Sequence, residues 1–433
     1  MTLRLVSRYV CLLCILVLSS ALIAAAQAAG SRPDAELEYT VMLSRHGVRS
    51  PLNKPGELDR FSAAPWPAWE VRPGYLTPHG YELMRIFGAW YRTKFSGDGL
   101  LGASGCADAA SVTIHADSDE RTVQTGKALA EGMFPGCKIA VDAQAEGTID
   151  PLFRGVESGT GNPALAAAAI AGRIGGDPQE VTEAYRPQLL ALDRVLAGCG
   201  RAQSTNSKRV SILDVPSGIS SNRASSWLHG PVSLGSGMVE NLLLEYTDGM
   251  KDVGWGCVDG VTLRALMQLD TVNWELNIRT HAVAQMYASD LLDRIARSME
   301  QHVSGKAIPG ALGRPGDRLL LIVGHDTNIE SVAATLGLNW IIDGRVDDTP
   351  PGGALLFELW RSRADGRRFV RMEYTAQTLE QMRQAQPLSP ANPPASAPIF
   401  VPACSGKDMS CAWAAFDAAL HGSIDPAYVI ERQ

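Results

Sequence analysis

Three short apolar runs in this 433-residue chain each end in a group of polar residues. The runs are Glu38 to Leu43 (EYTVML), Val112 to His115 (VTIH) and Leu319 to Val323 (LLLIV), and their length and aliphatic content predict strands. Helical patterns follow the second and third runs, over Glu120 to Met133 and as far as Leu336. Because ligands of open α/β sheets bind at the carboxyl ends of the strands, this pattern predicts one site at that edge.

The middle of the chain has a different pattern. Glycine-rich loops at residues 147–162 and 305–316 are the predicted boundaries of this part. We therefore predict an α/β fold, in which residues 29–150 and 317–433 form one domain and residues 151–316 form a second, mainly helical domain. The predicted helical segments of the middle part are Ala164 to Ala171, Gln179 to Ala197, Leu234 to Tyr246 and Trp274 to Val303.

The amino terminus has the features of an export signal. Arg4 and Arg8 precede an apolar run from Val10 to Ala26, and small residues around Ala28 suit a signal peptidase. The alternative is an uncleaved membrane anchor, but the run is short for a span and no charge cluster follows it. We predict removal of residues 1–28, a periplasmic or secreted protein, and no membrane association after cleavage.

Six cysteines remain after the predicted signal, and an even number in an exported protein indicates disulfides. Sequential pairing is the simplest of the fifteen connectivities that six cysteines allow, and buried free thiols are the alternative. No pair has the CxxC spacing of a thioredoxin-like redox site or a zinc ribbon. The six are Cys106, Cys137, Cys199, Cys257, Cys404 and Cys411.

Composition and charge exclude some classes of function. The chain is 45% apolar and 20% charged, which is typical of a globular protein. The proline-rich tail from Pro387 to Pro402 is predicted to be a surface loop. The net charge is −7 and no long lysine or arginine block occurs, so nucleic acid is not a predicted partner. A few arginines gathered in one cleft can still bind a small anion.

The first polar motif, RHGVRSP, places His46 between Arg45 and Arg49. Guanidinium groups bind phosphate oxygens bidentately, and their charge reduces the repulsion that an attacking nucleophile meets at phosphorus. A neutral histidine in that setting can attack phosphorus, so His46 is the predicted nucleophile. The alternative, a solvated basic turn, is weakened by Pro51 and by the position after a strand.

His325 and Asp326 follow the third predicted strand. His325 can donate a hydrogen bond to phosphate, and Asp326 can protonate the departing alkoxide. A metal-dependent phosphohydrolase would use both as ligands, but the remaining histidines are scattered through the sequence. We therefore predict no metal and no cofactor.

The second motif, DSDERT, carries Arg121 at the start of a predicted helix. On its own, Arg121 would be interpreted as a surface arginine paired with neighbouring acids. Because the motif is predicted to lie at the same sheet edge as the other two, we expect Arg121 to reach the phosphate.

The motifs RHGVRSP, HADSDERT and VGHDTN resemble those of histidine acid phosphatases. Residues 66–80 (WPAWEVRPGYLTPHG), 254–260 (GWGCVDG) and 338–361 are similar to the periplasmic bacterial branch of 4-phytases and glucose-1-phosphatases. The resemblance implies a central mixed sheet flanked by helices, a second helical domain and a phosphohistidine intermediate without metal. It also implies residue roles: His46 as nucleophile, Asp326 as acid, and phosphate binding by Arg45, Arg49, Arg121 and His325. Asp117 and Glu240 are candidates on the substrate side: Asp117 would position the leaving group or the nucleophile, and the alternative for Glu240 is a solvated helix face.

The predicted activity is therefore hydrolysis of small phosphomonoesters by a monomer, with phytate (inositol hexakisphosphate) or related organic phosphates as substrates. Glucose 1-phosphate or another sugar phosphate is the alternative, because Leu52 and Asn53 replace the threonine and lysine usual in phytase-like members. A phosphotransferase and a non-catalytic phosphate-binding protein are further alternatives.

Overall fold

The computed structural model describes residues 34–200, 206 and 208–431. The predicted export signal at residues 1–28 lies outside the described residues. Within the described ranges, no helix combines the length and hydropathy needed to span a bilayer.

The strands form a mixed central sheet, as expected. The strands are β1 (Ala35–Arg45), β2 (Val112–Ala116), β3 (Val141–Asp142), β4 (Gly218–Ser221), β5 (Ser226–His229), β6 (Leu319–Gly324), β7 (Ile341–Ile342), β8 (Arg345–Val346), β9 (Ala354–Ser362), β10 (Arg368–Ala376), β11 (Ala395–Ile399) and β12 (Ser410–Ala412). Among the described residues the sheet has eight strands, in the order β11-β10-β9-β1-β6-β2-β3, with β12 paired to β10. Two small hairpins, β4-β5 and β7-β8, lie outside it.

The three strands predicted from the apolar runs are neighbours in this sheet. β6 lies between β1 and β2 and is parallel to both. The register pairs Arg45 with Gly324 and Ala116 with Val323, so the three strands end at the same level. The polar motifs that follow them must therefore start side by side.

The other half of the sheet is antiparallel, and it corrects one prediction. The proline-rich tail is not entirely loop, because Ala395–Ile399 forms β11 and pairs with β10. Pro398 is tolerated there since β11 is the outermost strand, where a missing backbone N–H leaves no partner strand unsatisfied.

Helices cover both faces of the sheet. The helices are α1 (Pro78–Gly97), α2 (Glu120–Met133), α3 (Pro163–Arg173), α4 (Pro178–Ala184), α5 (Arg186–Leu196), α6 (Pro231–Thr247), α7 (Gly260–Leu266), α8 (Gln268–Leu276), α9 (His281–Ser304), α10 (Asp326–Leu336), α11 (Leu379–Arg383) and α12 (Trp413–Ser423). On β1, Met42 packs in a core with residues of α1 and α2, whereas Val41 and Leu43 face a second core with residues of α9 and α10. The domain boundaries at residues 150 and 316 stay predictions.

Two predicted helices of the middle part are each divided in the structure. Gln179 to Ala197 breaks at Tyr185, two residues before Pro187 in the first turn of α5, where proline is favoured. Trp274 to Val303 breaks after Leu276, because Asn277 leaves the helical region (φ −104°, ψ −88°). Its side chain accepts a hydrogen bond from Leu228 N at 2.6 Å, a contact from another part of the chain.

The disulfides follow the sequential pairing, which the structure confirms. They close segments of 31, 58 and 7 residues. The pairs are Cys106–Cys137, Cys199–Cys257 and Cys404–Cys411.

Candidate active site

The loops that follow β1, β2 and β6 begin side by side. His46 N donates to Gly324 O at 2.9 Å, and Asp117 N donates to Val323 O at 3.0 Å. The rings of His46 and His325 lie 5.6 Å apart, centroid to centroid. The structure thus brings the three sequence motifs into one cleft at the carboxyl edge of the sheet.

His46 is held in one orientation. Its Nδ1 lies 2.8 Å from Gly47 O, which can only accept, so Nδ1 carries the proton and Nε2 keeps its lone pair. Burial, and then the positive charges of Arg121, Arg45 and Arg49, lower the pKa of His46 well below its ordinary value. The ring is therefore neutral and nucleophilic in acid solution.

The loop that follows β1 and carries His46, here called the nucleophile loop after the predicted role of His46, packs against the start of α1. A Cβ atom on Gly80 would lie 2.1 Å from Val48 O, and one on Gly47 would lie 2.8 Å from Met84 Cγ. Only glycine permits both contacts. The loop position therefore depends on two glycines in different segments.

Glu240, on α6, joins the two arginines of the first motif. Its Oε1 accepts a hydrogen bond from Arg49 Nη2 at 2.9 Å and a short one from Arg45 Nη2. Arg45 Nη1 also donates to Thr349 O at 2.6 Å. Both guanidiniums are almost fully buried, at 4% exposure. A carboxylate from the middle of the chain thus lies where a phosphate oxygen would be expected between them.

Asp326 begins α10, and Thr327 N donates to its Oδ1 at 2.8 Å. Its Oδ2 lies 2.8 Å from Arg45 Nη2. Burial alone would raise the pKa of Asp326, but the charges of Arg45, His325 and Arg49 outweigh burial and lower it. The carboxyl group therefore stays ionised to a lower pH than an ordinary aspartate.

Asp117 contacts His325, and none of its hydrogen bonds or ion pairs in the described part of the chain involves His46. Its Oδ2 lies 2.6 Å from His325 Nε2 and 3.0 Å from Arg154 Nη2. Burial tends to raise the pKa of Asp117, but the hydrogen bond and charge of His325 and the charge of Arg154 lower it. An ionised Asp117 accepts a hydrogen bond from His325 Nε2 and so fixes the orientation of that ring in the cleft.

Arg121 both pairs with a neighbouring acid and reaches the cleft, as its two alternative interpretations had predicted. It pairs with Asp119 Oδ2 at 2.6 Å, as a surface arginine would, and its Nη2 lies 3.5 Å from His325 Nδ1 in the cleft. Asp119 also pairs with Arg154 at 2.5 Å.

Three possible metal ligands lie close together in the cleft. Oxygen and nitrogen atoms of Asp117, Asp119 and His325 lie within 4.8 Å of one another. The guanidiniums of Arg121 and Arg154 already neutralise the two carboxylates, which disfavours a metal ion there.

Sequence reasoning missed two charged residues of this site. Arg154 lies in a segment predicted as a boundary loop, and no local pattern marks it. Asp119 lies inside the DSDERT motif but was not singled out, because a separation of two residues from Arg121 does not place the two side chains on one face of a helix. Glu240, in contrast, was named as a substrate-side position and lies in the cleft.

Comparison with known proteins defines the class of this fold and site. Residues 36–157 and 252–375 match the model of the histidine phosphatase superfamily (branch 2), and the chain belongs to that family. It is 34% identical to Phytase AppA of Escherichia coli (strain K12), over 92% of this chain and 94% of that protein. It is 26% identical to a glucose-1-phosphatase of Providencia rettgeri, over 91% of this chain and 94% of that protein.

Solved structures agree with this assignment. The Hafnia alvei phytase in complex with tartrate superposes with a TM-score of 0.85 at 31% identity, covering 93% of this chain and all of that one. The Citrobacter braakii phytase has a TM-score of 0.83 at 32% identity, covering 92% of this chain and 100% of that one. The predicted fold and family are confirmed, and the chain is a histidine-type acid phosphatase, an enzyme that hydrolyses phosphomonoesters.

Proposed function

We propose that this enzyme binds the phosphoryl group with Arg45, Arg49, Arg121 and His325 and attacks it with His46. The observation that carries the proposal is a buried, neutral His46 with a free Nε2 among three arginines. The three arginines are Arg45, Arg49 and Arg121. Their Nε atoms are buried and have no hydrogen-bond partner in the described part of the chain. Such donors favour an anionic ligand.

In the first step, the lone pair of His46 Nε2 forms a bond to phosphorus as the bond to the ester oxygen breaks. Asp326 gives its proton to that departing oxygen, so the alcohol leaves neutral. In the second step, water attacks the phosphohistidine and Asp326 accepts the proton of that water. The P–N bond breaks, inorganic phosphate leaves, and the starting protonation state is restored.

Substrate binding supplies the conditions for proton donation by Asp326. Through their ion pair, Arg45 lowers the pKa of this carboxyl group. A phosphate group that engages Arg45 removes part of that stabilisation and adds negative charge nearby, so the pKa of Asp326 rises. The carboxyl group is therefore protonated to a larger extent when the substrate is bound.

The proposed substrates are phosphate esters of cyclic polyols, namely phytate and other inositol phosphates or hexose phosphates. The support is the likeness to Phytase AppA and to a glucose-1-phosphatase. We further propose a periplasmic or secreted location, supported by three disulfides. A monomer suffices, since every group named in the site belongs to one chain.

An assay of the mature protein with an aryl phosphate at acid pH, with and without a chelator, tests the reaction. Hydrolysis that the chelator leaves unchanged is expected. Loss of activity with chelator would indicate a metalloenzyme, phosphate transfer to an added alcohol in preference to water would indicate a phosphotransferase, and binding without turnover would indicate a binding protein.

A further inference from the structure

An open cavity of about 640 Å³ lies in front of His325 and extends from the phosphate site towards the hairpin β4-β5. Two large apolar side chains are exposed on its rim, Leu52 at 59% and Trp227 at 39%. Leu52 belongs to the nucleophile loop and Trp227 to β5. Apolar groups exposed towards a catalytic cleft are candidates for contact with the substrate.

Two tryptophans, Trp227 and Trp274, form an aromatic wall of this cavity. Hydrogen bonds hold the segments that carry them in place. Leu228 N, next to Trp227, donates to Asn277 Oδ1 at 2.6 Å. On α8, Trp274 Nε1 donates to Asp270 Oδ2 at 3.2 Å, and Asp270 also accepts from Ser236 Oγ at 2.8 Å. Trp227 and Trp274 both line the cavity, so two indoles are presented from preorganised elements.

The charges around this cavity do not suit a polyanion. Both of its arginines, Arg121 and Arg154, pair with Asp119, and Glu157 adds a further negative charge. No lysine occurs among the described residues that line it. Beyond the phosphate site, additional phosphate groups would therefore meet few unpaired cations.

We propose that Trp227 determines specificity by packing against the apolar face of an uncharged ring, so that the preferred substrate is a hexose carrying a single phosphate. This inference rests on the proposed function and narrows it. The C–H groups on one face of a hexose give an indole the apolar contact it needs, while the hydroxyl groups stay in water. A fully phosphorylated inositol ring presents charge on every side and loses this contact.

The test compares kcat and KM for glucose 1-phosphate, phytate and glycerol 2-phosphate, which has no ring, near pH 5. We expect the wild-type kcat/KM for glucose 1-phosphate to exceed that for phytate. In Trp227→Ala we expect KM for glucose 1-phosphate to rise about tenfold with kcat little changed, in line with the loss of one apolar contact. Glycerol 2-phosphate should be unaffected, and Trp227→Phe should restore most of the loss.

The matched control is Phe400→Ala, because Phe400 is an exposed aromatic residue (48%) that does not line this cavity. It should leave all three substrates unchanged. A wild-type preference for phytate, an equal loss on all substrates in Trp227→Ala, or no loss on glucose 1-phosphate would each overturn the proposal. Failure of the wild type to hydrolyse even an aryl phosphate would instead overturn the proposed function.

Discussion

Asp326 Oδ2 lies 2.8 Å from Arg45 Nη2, so the proposed proton donor is ion-paired with an arginine proposed to bind the phosphate. The pair couples the two roles. When Arg45 turns to the phosphoryl group, Asp326 loses a stabilising charge and its affinity for a proton increases. Acid strength at Asp326 therefore depends on whether substrate is bound.

Replacing Asp326 by asparagine should reduce activity on alkyl phosphates much more than on activated aryl phosphates. An alkoxide needs a proton in order to leave, and general acid catalysis is typically worth about 10² to 10⁴ in rate. An aryl oxide leaves without one. The measurement is the ratio of kcat/KM for the two substrates in both proteins. Equal losses would mean that Asp326 is structural, and Asp117 would become the next candidate for the acid.

The pH dependence should follow the lowered pKa of Asp326. Its protonated fraction in the free enzyme increases as pH falls through that pKa, and kcat/KM reports groups of the free enzyme. For an alkyl phosphate, kcat/KM should thus continue to rise as pH falls to about 4, the ordinary carboxyl range. His46 stays neutral there because its own pKa is lowered. A decline of activity below about pH 6, the range of an ordinary histidine, would contradict this assignment.

Alanine in place of His46 should abolish hydrolysis and leave the fold intact. The role of the side chain is covalent attack from a loop, so its removal ends turnover. Rapid acid or base quenching with labelled substrate should trap phosphohistidine in the wild type only. An unchanged melting temperature is the control for folding, and substantial turnover by the variant would refute the nucleophile.

Glu240→Gln should strengthen inhibition by inorganic phosphate. Glu240 accepts hydrogen bonds from both Arg45 and Arg49, so it competes with the ligand for two guanidiniums. Removal of its charge should lower the inhibition constant roughly threefold to tenfold at neutral pH, as a larger fraction of the protein becomes competent to bind. Glu157→Gln, an exposed cleft carboxylate, is the control. Weaker inhibition in Glu240→Gln would mean that Glu240 orients the arginines for phosphate.

Removal of disulfides should destabilise the protein by amounts that depend on loop length. The chain-entropy model gives about 4 kcal/mol for Cys199–Cys257, which closes 58 residues, and about 2 kcal/mol for Cys404–Cys411, which closes 7. Double serine variants and denaturant titration measure the difference. Equal losses would contradict the entropic account, and six free thiols in oxidised protein would refute the pairing itself.

The sequence alone determined the three strand-end motifs and the site they form. Strand, turn and helix start are encoded by neighbouring residues, and parallel strands must end at a common edge, so His46, Arg121 and Asp326 could be placed together. The segments at residues 66–80, 254–260 and 338–361 also carried the family resemblance. Sequential pairing of the six cysteines was a guess that the fold bore out.

Only the tertiary structure decided what lies around those motifs. Glu240 meets Arg45 across 195 residues of sequence, and Arg154 meets Asp117 across 37, in a segment with no local signal. The helix α8 ends before Asn277, whose side chain accepts a hydrogen bond from Leu228 N. Pro398 fits into β11 because β11 is the outermost strand of the sheet. Local patterns encode elements, whereas a contact between distant segments depends on how those elements pack. For that reason the reaction could be predicted from the sequence, while the walls of the cleft could not.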